Sequence, residues 1–297
     1  MEKHIILFIV FLISTTLFSQ TEVLEEWTET FQNTSGIDIE MDEYNDVYVL
    51  TRNGTISKYD SNGNELWSTT FQDSTGERTA VDLTIDNSNN ICYTGYRNGL
   101  PSEDVIITTK FDSEGNQLWE MYYHHPTWAT SGEPIGIGTD DVGNVYVSGI
   151  SRGFLSSSDY CRAVTIKYSS EVYEEWISAY HPIYDNWFEV SGIVVSNSGS
   201  VYITGGDGTV SWNVLDFYAF MTIKYSTDGT MEWDNFYSTT LNYWAFAEAI
   251  TLDSDENIYV SGSFGDEDET GIATIKYNES GELLWESRSD ISYNYNK

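Results

Sequence analysis

Residues 222–233 read Thr-Ile-Lys-Tyr-Ser-Thr-Asp-Gly-Thr-Met-Glu-Trp, and this stretch recurs four more times. The other copies are ISKYDSNGNELW (56–67), TTKFDSEGNQLW (108–119), TIKYSSEVYEEW (165–176) and TIKYNESGELLW (274–285). Each ends on a tryptophan: Trp67, Trp119, Trp176, Trp233 and Trp285, spaced 52, 57, 57 and 52 residues apart. Nine residues before each stands a lysine: Lys58, Lys110, Lys167, Lys224 and Lys276. An aromatic follows every lysine, and four copies carry a glycine in the turn between lysine and tryptophan. The third copy is read as departing from this at Glu171. A short apolar alternation broken by Asp, Asn, Ser and Gly and then resumed is the pattern of a tight hairpin, because those residues tolerate left-handed backbone.

Two more strand signals precede each hairpin. The strings NDVYVLT, NICYTG, NVYVSG, SVYITG and NIYVSG begin at Asn45, Asn90, Asn144, Ser200 and Asn257, with Cys92 replacing the strand's usual Tyr in the second. Upstream lie GIDIEMD, AVDLTID, IGIGTD, GIVVSN and AITLD. Each unit therefore holds four period-2 strands, A to D, over about 36–71, 79–122, 133–180, 189–237 and 247–288. Four-stranded units at this period predict an all-β chain, a β-propeller of antiparallel blades. Repetition of the Trp and Lys in every unit points to architecture. A Trp on the outer strand can wedge between blades, and a Lys can lay its stem over apolar surface with its charge in water.

The Asn-x-Tyr-Val-(Ser/Thr)-Gly strand and the Lys-Tyr…Gly…Trp hairpin resemble the SBBP-type β-propeller repeat of bacterial exported proteins. The resemblance spans about residues 36–288. It implies the propeller fold and export, and no particular activity. The Trp-ended hairpin is also similar to that of quinoprotein propellers, but the quinone-site residues find no match.

Residues 22–31, which contain Trp27, read as a further D-like strand, so six such strands face five A–B–C sets. Either five blades close and one strand is spare, or the strand joins C-terminal strands in a six-bladed ring. The second reading implies a missing sixth blade and a sorting or anchoring segment beyond Lys297. Ahead of the propeller domain (20–297), residues 1–19 read as a signal peptide. Lys3 and His4 precede the apolar run Ile5 to Ile13, with a cut after Ser19. That run is too short to span a bilayer, and no other segment is long and apolar enough to do so. The expected location is secreted, periplasmic or cell-surface. Cys92 and Cys161 fall at different places in the repeat and read as two buried thiols rather than a pair.

The chain carries 47 acidic against 13 basic residues, a net charge of −34. Such a surface repels phosphate backbones and anionic lipid, so nucleic acid and membrane surfaces are not expected partners. The acids concentrate in the A–B and C–D turns. The D–A and B–C connections, on the opposite end of a propeller, collect the out-of-register aromatics Trp128, Trp187, Trp212, Trp244, Tyr184 and Tyr243, with His124, His125 and His181. Trp187 and Trp244 hold matching places, 12 residues before Gly199 and Glu256. Arg52, Arg97 and Arg152 follow strand B in the first three units and would face this same end, suited to a carboxylate or sulfate. An aromatic platform beside amides and carboxylates suits a glycan, peptide or protein ligand. Asp253, Asp255 and Asn257 offer alternate oxygens as calcium loops do, but without the loop's glycine and terminal glutamate. No other cofactor is expected. Nucleophile-elbow, phosphate-loop and dinucleotide motifs do not occur, so a non-enzymatic binding or scaffold role leads. The alternative is a polysaccharide hydrolase or lyase using two convergent carboxylates.

Overall fold

The computed structural model describes residues 27–31, 34–71, 77–98, 105–124, 129–155, 158–181, 188–211, 214–238, 244–265 and 269–292. The first 26 residues, including the expected leader and the first half of the extra N-terminal strand, lie outside them.

Five four-stranded antiparallel sheets form the blades of a β-propeller. Blade 1 is β1 (Gly36–Met41), β2 (Val47–Thr51), β3 (Thr55–Tyr59) and β4 (Glu65–Thr70). Blade 2 is β5 (Glu77–Ile85), β6 (Ile91–Asn98), β7 (Val105–Phe111) and β8 (Gln117–His124). Blade 3 is β9 (Ala129–Thr139), β10 (Val145–Leu155), β11 (Ser158–Tyr168) and β12 (Glu174–Tyr180). Blade 4 is β13 (Phe188–Val195), β14 (Val201–Ser211), β15 (Val214–Tyr225) and β16 (Met231–Tyr237). Blade 5 is β17 (Trp244–Leu252), β18 (Ile258–Gly265), β19 (Glu269–Tyr277) and β20 (Leu283–Ser292). Each sheet keeps chain order from inner to outer strand. Successive inner strands pack on one another, β1 on β5, β5 on β9, β9 on β13 and β13 on β17; no packing of comparable extent joins β17 to β1 among the described residues.

The core lies in the seams between blades. Tyr48, Leu50, Ile56, Leu83, Tyr93 and Phe111 fill the first seam, and equivalent clusters fill the next three. Three of the four seams are pinned at their outer edge by the repeat tryptophan. Trp67, Trp176 and Trp233 donate their indole N–H to Ser113, Thr227 and Glu279, a carbonyl in the next blade's C–D turn, at 3.1, 3.0 and 3.1 Å. The indole lies flat on that turn's glycine. A Cβ on Gly229 would come within 2.6 Å of Trp176, and one on Gly281 within 2.9 Å of Trp233.

The ten A–B and C–D turns are one device. Each is five residues long, from 42–46 to 278–282. In each, the first N–H donates to the fifth carbonyl and the fourth N–H to the first carbonyl. The fourth residue takes positive φ in all ten: six times as glycine, twice as asparagine (Asn45 and Asn89), and as Val172 and Glu256. In blade 3 this residue is Val172 (φ 81°), not Glu171 as the sequence suggested. A β-branched side chain there is strained. The preceding blade's Trp119, which is 6 % exposed, finds no acceptor for its indole N–H.

Four of the five lysines, all but Lys276, depart from expectation in one respect: their charges are not held in water. Lys110 Nζ lies 2.7 Å from Asp86 and donates to the Gly143 carbonyl of the next blade at 2.8 Å. Lys58 pairs with Asp42 and Asp46, Lys167 with Glu175, and Lys224 with Glu232 and Glu279. Lys58, Lys167, Lys224 and Lys276 also stand over the strand-B rings of Tyr48, Tyr146, Tyr202 and Tyr259, at 4.7–5.6 Å. Burial alone would lower the Lys58 and Lys224 pKa values. Hydrogen bonds with Tyr48 and Asp46, and with Glu232 and Glu279, override it and hold both above the ordinary lysine value. Cys92, which replaces the ring opposite Lys110, is fully buried, and both cysteines are free thiols.

Candidate functional site

The two ends of the propeller differ in kind. The acidic residues of the turn end are consumed locally. Asp42, Asp60, Asp86, Asp112, Asp140 and Asp253 open their turns, and each carboxylate accepts backbone N–H groups two and four residues on. The calcium candidates Asp253, Asp255 and Asn257 lie in one of these turns. Asp253 also accepts from Asn257 Nδ2 (3.0 Å), Tyr259 OH (3.1 Å) and Lys276 Nζ (3.0 Å), and Asn257 turns its amide N–H2 inward. The carboxylate faces donors, not an open coordination position. Desolvation pushes the Asp253 carboxyl up, but the hydrogen bonds from Asn257, Lys276 and Asp255 together hold it well below the usual carboxylate range. Among the described residues no group of three or more His, Cys, Asp or Glu side chains could hold a metal ion.

The opposite end carries connections of unequal length. The D–A links run 71–76, 125–128, 181–187 and 238–243, and the B–C links span from two residues (156–157) to six (99–104). Trp244 opens β17 here, half-buried and paired with Gly265. His181 is exposed just after β12, and His124 is exposed at the end of β8. Trp128, Trp187, Trp212, Tyr184, Tyr243 and His125 lie outside the described residues. Arg52, Arg97 and Arg152 all sit at this end, in consecutive blades. They are offset by one, two and three residues from the equivalent positions Thr51, Gly95 and Gly149. Side chains alternate along a strand, so Arg97 on β6 and Arg152 on β10 face opposite sides of their sheets, while Arg52 lies in the turn after β2. Arg52 donates from Nε to Ser35 Oγ at 3.4 Å, and its carbonyl accepts from Ala80 N of blade 2 at 3.1 Å.

Two features of this region were not singled out from the sequence. Arg78, paired in register with Arg97, grips Glu120 with two N–H···O bonds of 2.6 and 3.3 Å and reaches Tyr122 OH at 3.1 Å. The cluster spans blade 2 from its inner to its outer strand. Burial pushes the Glu120 carboxyl up, and Arg78 and Tyr122 bring it below its ordinary value.

The second lies along the inner rim. Every inner strand has a register shift, at Ile37, Val81, Ile135, Ser191 and Glu248. The next positions in blades 1 and 2 are Asp38 and Asp82. Asp38 Oδ2 accepts Leu83 N of blade 2 (3.0 Å), and Asp82 Oδ2 accepts Ile137 N of blade 3 (2.8 Å). These carboxyls tie three inner strands together. Burial, helped by the neighbouring Asp38, pushes the Asp82 carboxyl up to about 8, against the hydrogen bond from Ile137. Glu40 is also raised, by burial and then by Asp38. The strings GIDIEMD and AVDLTID show an aspartate at the same place in two units, which was the available signal.

Comparison with solved structures finds distant similarities. A gluconolactonase from Xanthomonas campestris matches at TM-score 0.42 and 14% identity, over 76% of this chain and 69% of that one. An ulvan lyase of polysaccharide lyase family PL25 matches at 0.48 and 8%, over 89% and 72%. A Synechocystis apocarotenoid oxygenase matches at 0.45 and 10%, over 86% of this chain and 59% of its own. No protein-family model and no curated protein matches the sequence. Fold and site together define a β-propeller repeat protein with one uniform and one variable end. No helix among the described residues is long and apolar enough to cross a membrane.

Proposed function

We propose that this is an exported repeat propeller of the SBBP type whose variable end is a non-enzymatic binding or scaffold surface for an extracellular glycan, peptide or protein. One observation carries the reading: all ten turns at one end are the same self-capped five-residue loop, while the connections at the other end differ in length and sequence. Uniform loops serve the scaffold, and unequal loops on a rigid scaffold are where recognition residues collect. Two further points support a binder over a hydrolase. The inner-rim carboxyls Asp38 and Asp82 are engaged with the backbone of neighbouring blades, and Glu120 is held by Arg78. Arg52, Arg152 and His181 are exposed at the variable end, and Trp244 is half-buried at the same end.

The test is a glycan and peptide array probed with the exported chain, run beside an assay for new reducing ends or unsaturated products. Retention of an array member without product, weakened by Trp244→Ala or Arg152→Ala at unchanged Tm, supports the reading. Release of product from a polysaccharide overturns it in favour of a hydrolase or lyase. Export is checked by N-terminal sequencing of secreted protein, expected to begin at Gln20 or Thr21.

A further inference from the structure

Each blade turns a forward face toward the next blade, built from the same positions. In blades 2, 3 and 4, Ile106, Ala163 and Phe220 lie four residues before the repeat lysine on that face, and all three are fully buried. The equivalent residue of blade 5, Ile272, is 50 % exposed. The rest of the blade 5 face follows. Tyr259, Ser261 and Thr274 are only partly buried, whereas Tyr146, Tyr202, Ser148, Thr204, Thr165 and Thr222 at the same places are at 0 %. Trp285 holds the posture of its counterparts, edge-on to Tyr259 at 5.9 Å, just as Trp67 meets Tyr48 at 6.0 Å. Its outer side is exposed.

The rear face of blade 1 shows the complementary half. There the indole of Trp27 stacks on Tyr59 at 5.7 Å and lies against Gly63, where a Cβ would come within 2.6 Å of it. This is the place that Trp176 takes on Gly229 and Trp233 on Gly281. Trp27 thus stands where the outer-strand tryptophan of a preceding blade would stand. Its sequence agrees: residues 21–27, Thr-Glu-Val-Leu-Glu-Glu-Trp, match 170–176, Ser-Glu-Val-Tyr-Glu-Glu-Trp, at five of seven positions.

We propose that the forward face of blade 5 is a docking surface for one further blade of this same repeat, three strands A to C, whose outer strand is the segment carrying Trp27. Four of its kind in the molecule are covered by a blade, which says what chemistry the face accepts: an apolar sheet face for Ile272 and Tyr259, and a left-handed turn with a free carbonyl for Trp285. The order of seams requires the module to sit between Trp285 and Trp27. A second copy of the whole propeller meets only one of these two borders, because its own Gly63 is occupied by its own Trp27.

The experiment appends a copy of residues 181–225, one D–A connection with strands A to C, after Ser292 of the otherwise unchanged chain. Ile272→Cys is placed in both the parent and the extended protein, and the rate of thiol labelling is read under native conditions. The parent is expected to be monomeric and to label fast, as an exposed thiol does. Extension is expected to slow labelling on the order of 100-fold, since a buried thiol reacts only through opening, and to raise Tm. An extended chain that still labels at the parent's rate, or aggregates where the parent does not, overturns the proposal. A parent that is dimeric with a protected thiol overturns it in favour of a second copy. Ile272→Arg in the unextended chain is a further check: it is expected to leave Tm within the range of surface changes, whereas Phe220→Arg prevents folding. A large loss from Ile272→Arg shows the face already covered and refutes the reading.

Discussion

Replacing Lys110 by Met isolates what the buried lysines contribute. The Lys110 and Asp86 side chains are 3 and 2 % exposed and 2.7 Å apart. Asp86 also accepts from Ser88 N, Asn90 N and Asn90 Nδ2, so it cannot turn away to water without opening its turn. Removing one member of such a pair leaves a buried charge uncompensated, at a cost of about 3–5 kcal/mol. That is a large share of the ~5–15 kcal/mol of a folded domain. With a urea slope of about 3 kcal/mol/M, the midpoint falls by about 1–1.7 M. Asp86→Asn in the same chain removes the charge while keeping an acceptor, so Lys110→Met/Asp86→Asn loses less than Lys110→Met alone. The pH dependence should invert as well. In the parent, burial pushes the Asp86 carboxyl up, but Lys110 and Asn90 hold it below its ordinary value. Its contribution is therefore present above about pH 4 and is lost as pH falls through the depressed pKa. Without Lys110 burial dominates, and the variant gains on the parent as pH falls. Lys276→Met provides the contrast, because Lys276 and Asp253 are 16 and 27 % exposed and water screens both. Urea melts of the parent and the three variants at two pH values decide it. Equal losses for Lys110→Met and Lys276→Met, or a double variant no better than the single, would refute the assignment of these lysines as buried charge partners.

Asp82 behaves in the opposite sense. A carboxyl raised to about 8 in the folded chain binds its proton more tightly there than when unfolded, so its contribution is full below about pH 4 and is lost as pH rises toward 8. Asp82→Asn should flatten that decline and stabilise the protein by about 2 kcal/mol at pH 8; parallel pH profiles of the two proteins would contradict it. Val172→Gly relieves the one β-branched residue at a positive-φ turn position and should raise stability by about 1 kcal/mol, seen as a Tm increase of about 2–4 °C. A fall in Tm would show that the valine's contacts outweigh its strain. Neither Cys92 nor Cys161 should react with a thiol reagent in the native state, since both are buried and burial pushes the Cys92 thiol up to about 12. Two thiols should titrate after unfolding, and early labelling of either would place it outside the core.

The blades were legible because a seam makes the same demand each time. Trp233 must reach Glu279, and Trp67 must reach Ser113, across the same number of strands, so the distance from Lys to Trp cannot drift. The turn glycine was legible for the same reason, and the one misreading, Glu171 for Val172, arose where no glycine marked the left-handed position. The burial of the lysine charges was hidden. Sequence shows a lysine beside an aromatic, whereas the acids that neutralise it come from an A–B turn, from the outer strand of the same blade or from the next blade's C–D turn. Asp38 and Asp82 were hidden differently. Each sits in an apolar alternation, and the register shift that turns it onto a neighbour's backbone has no residue signature. Residues of the variable end follow no period, which is why composition could gather them at one end but not set them against one another. The three arginines, at successive offsets, show how a shared end differs from a shared direction.

The wedge that joins one blade to the next has a direction: an indole leaves one unit and a bare left-handed turn receives it. Parts with one plug and one receptacle can be added or removed only whole. Gene-level duplication or loss within such a chain would change its length in steps of one full unit, and a partial gain would leave a plug without its mate. The same rule lets the unequal loops drift freely, because no seam reads them, so a lineage could alter what the molecule recognises without disturbing how it is assembled.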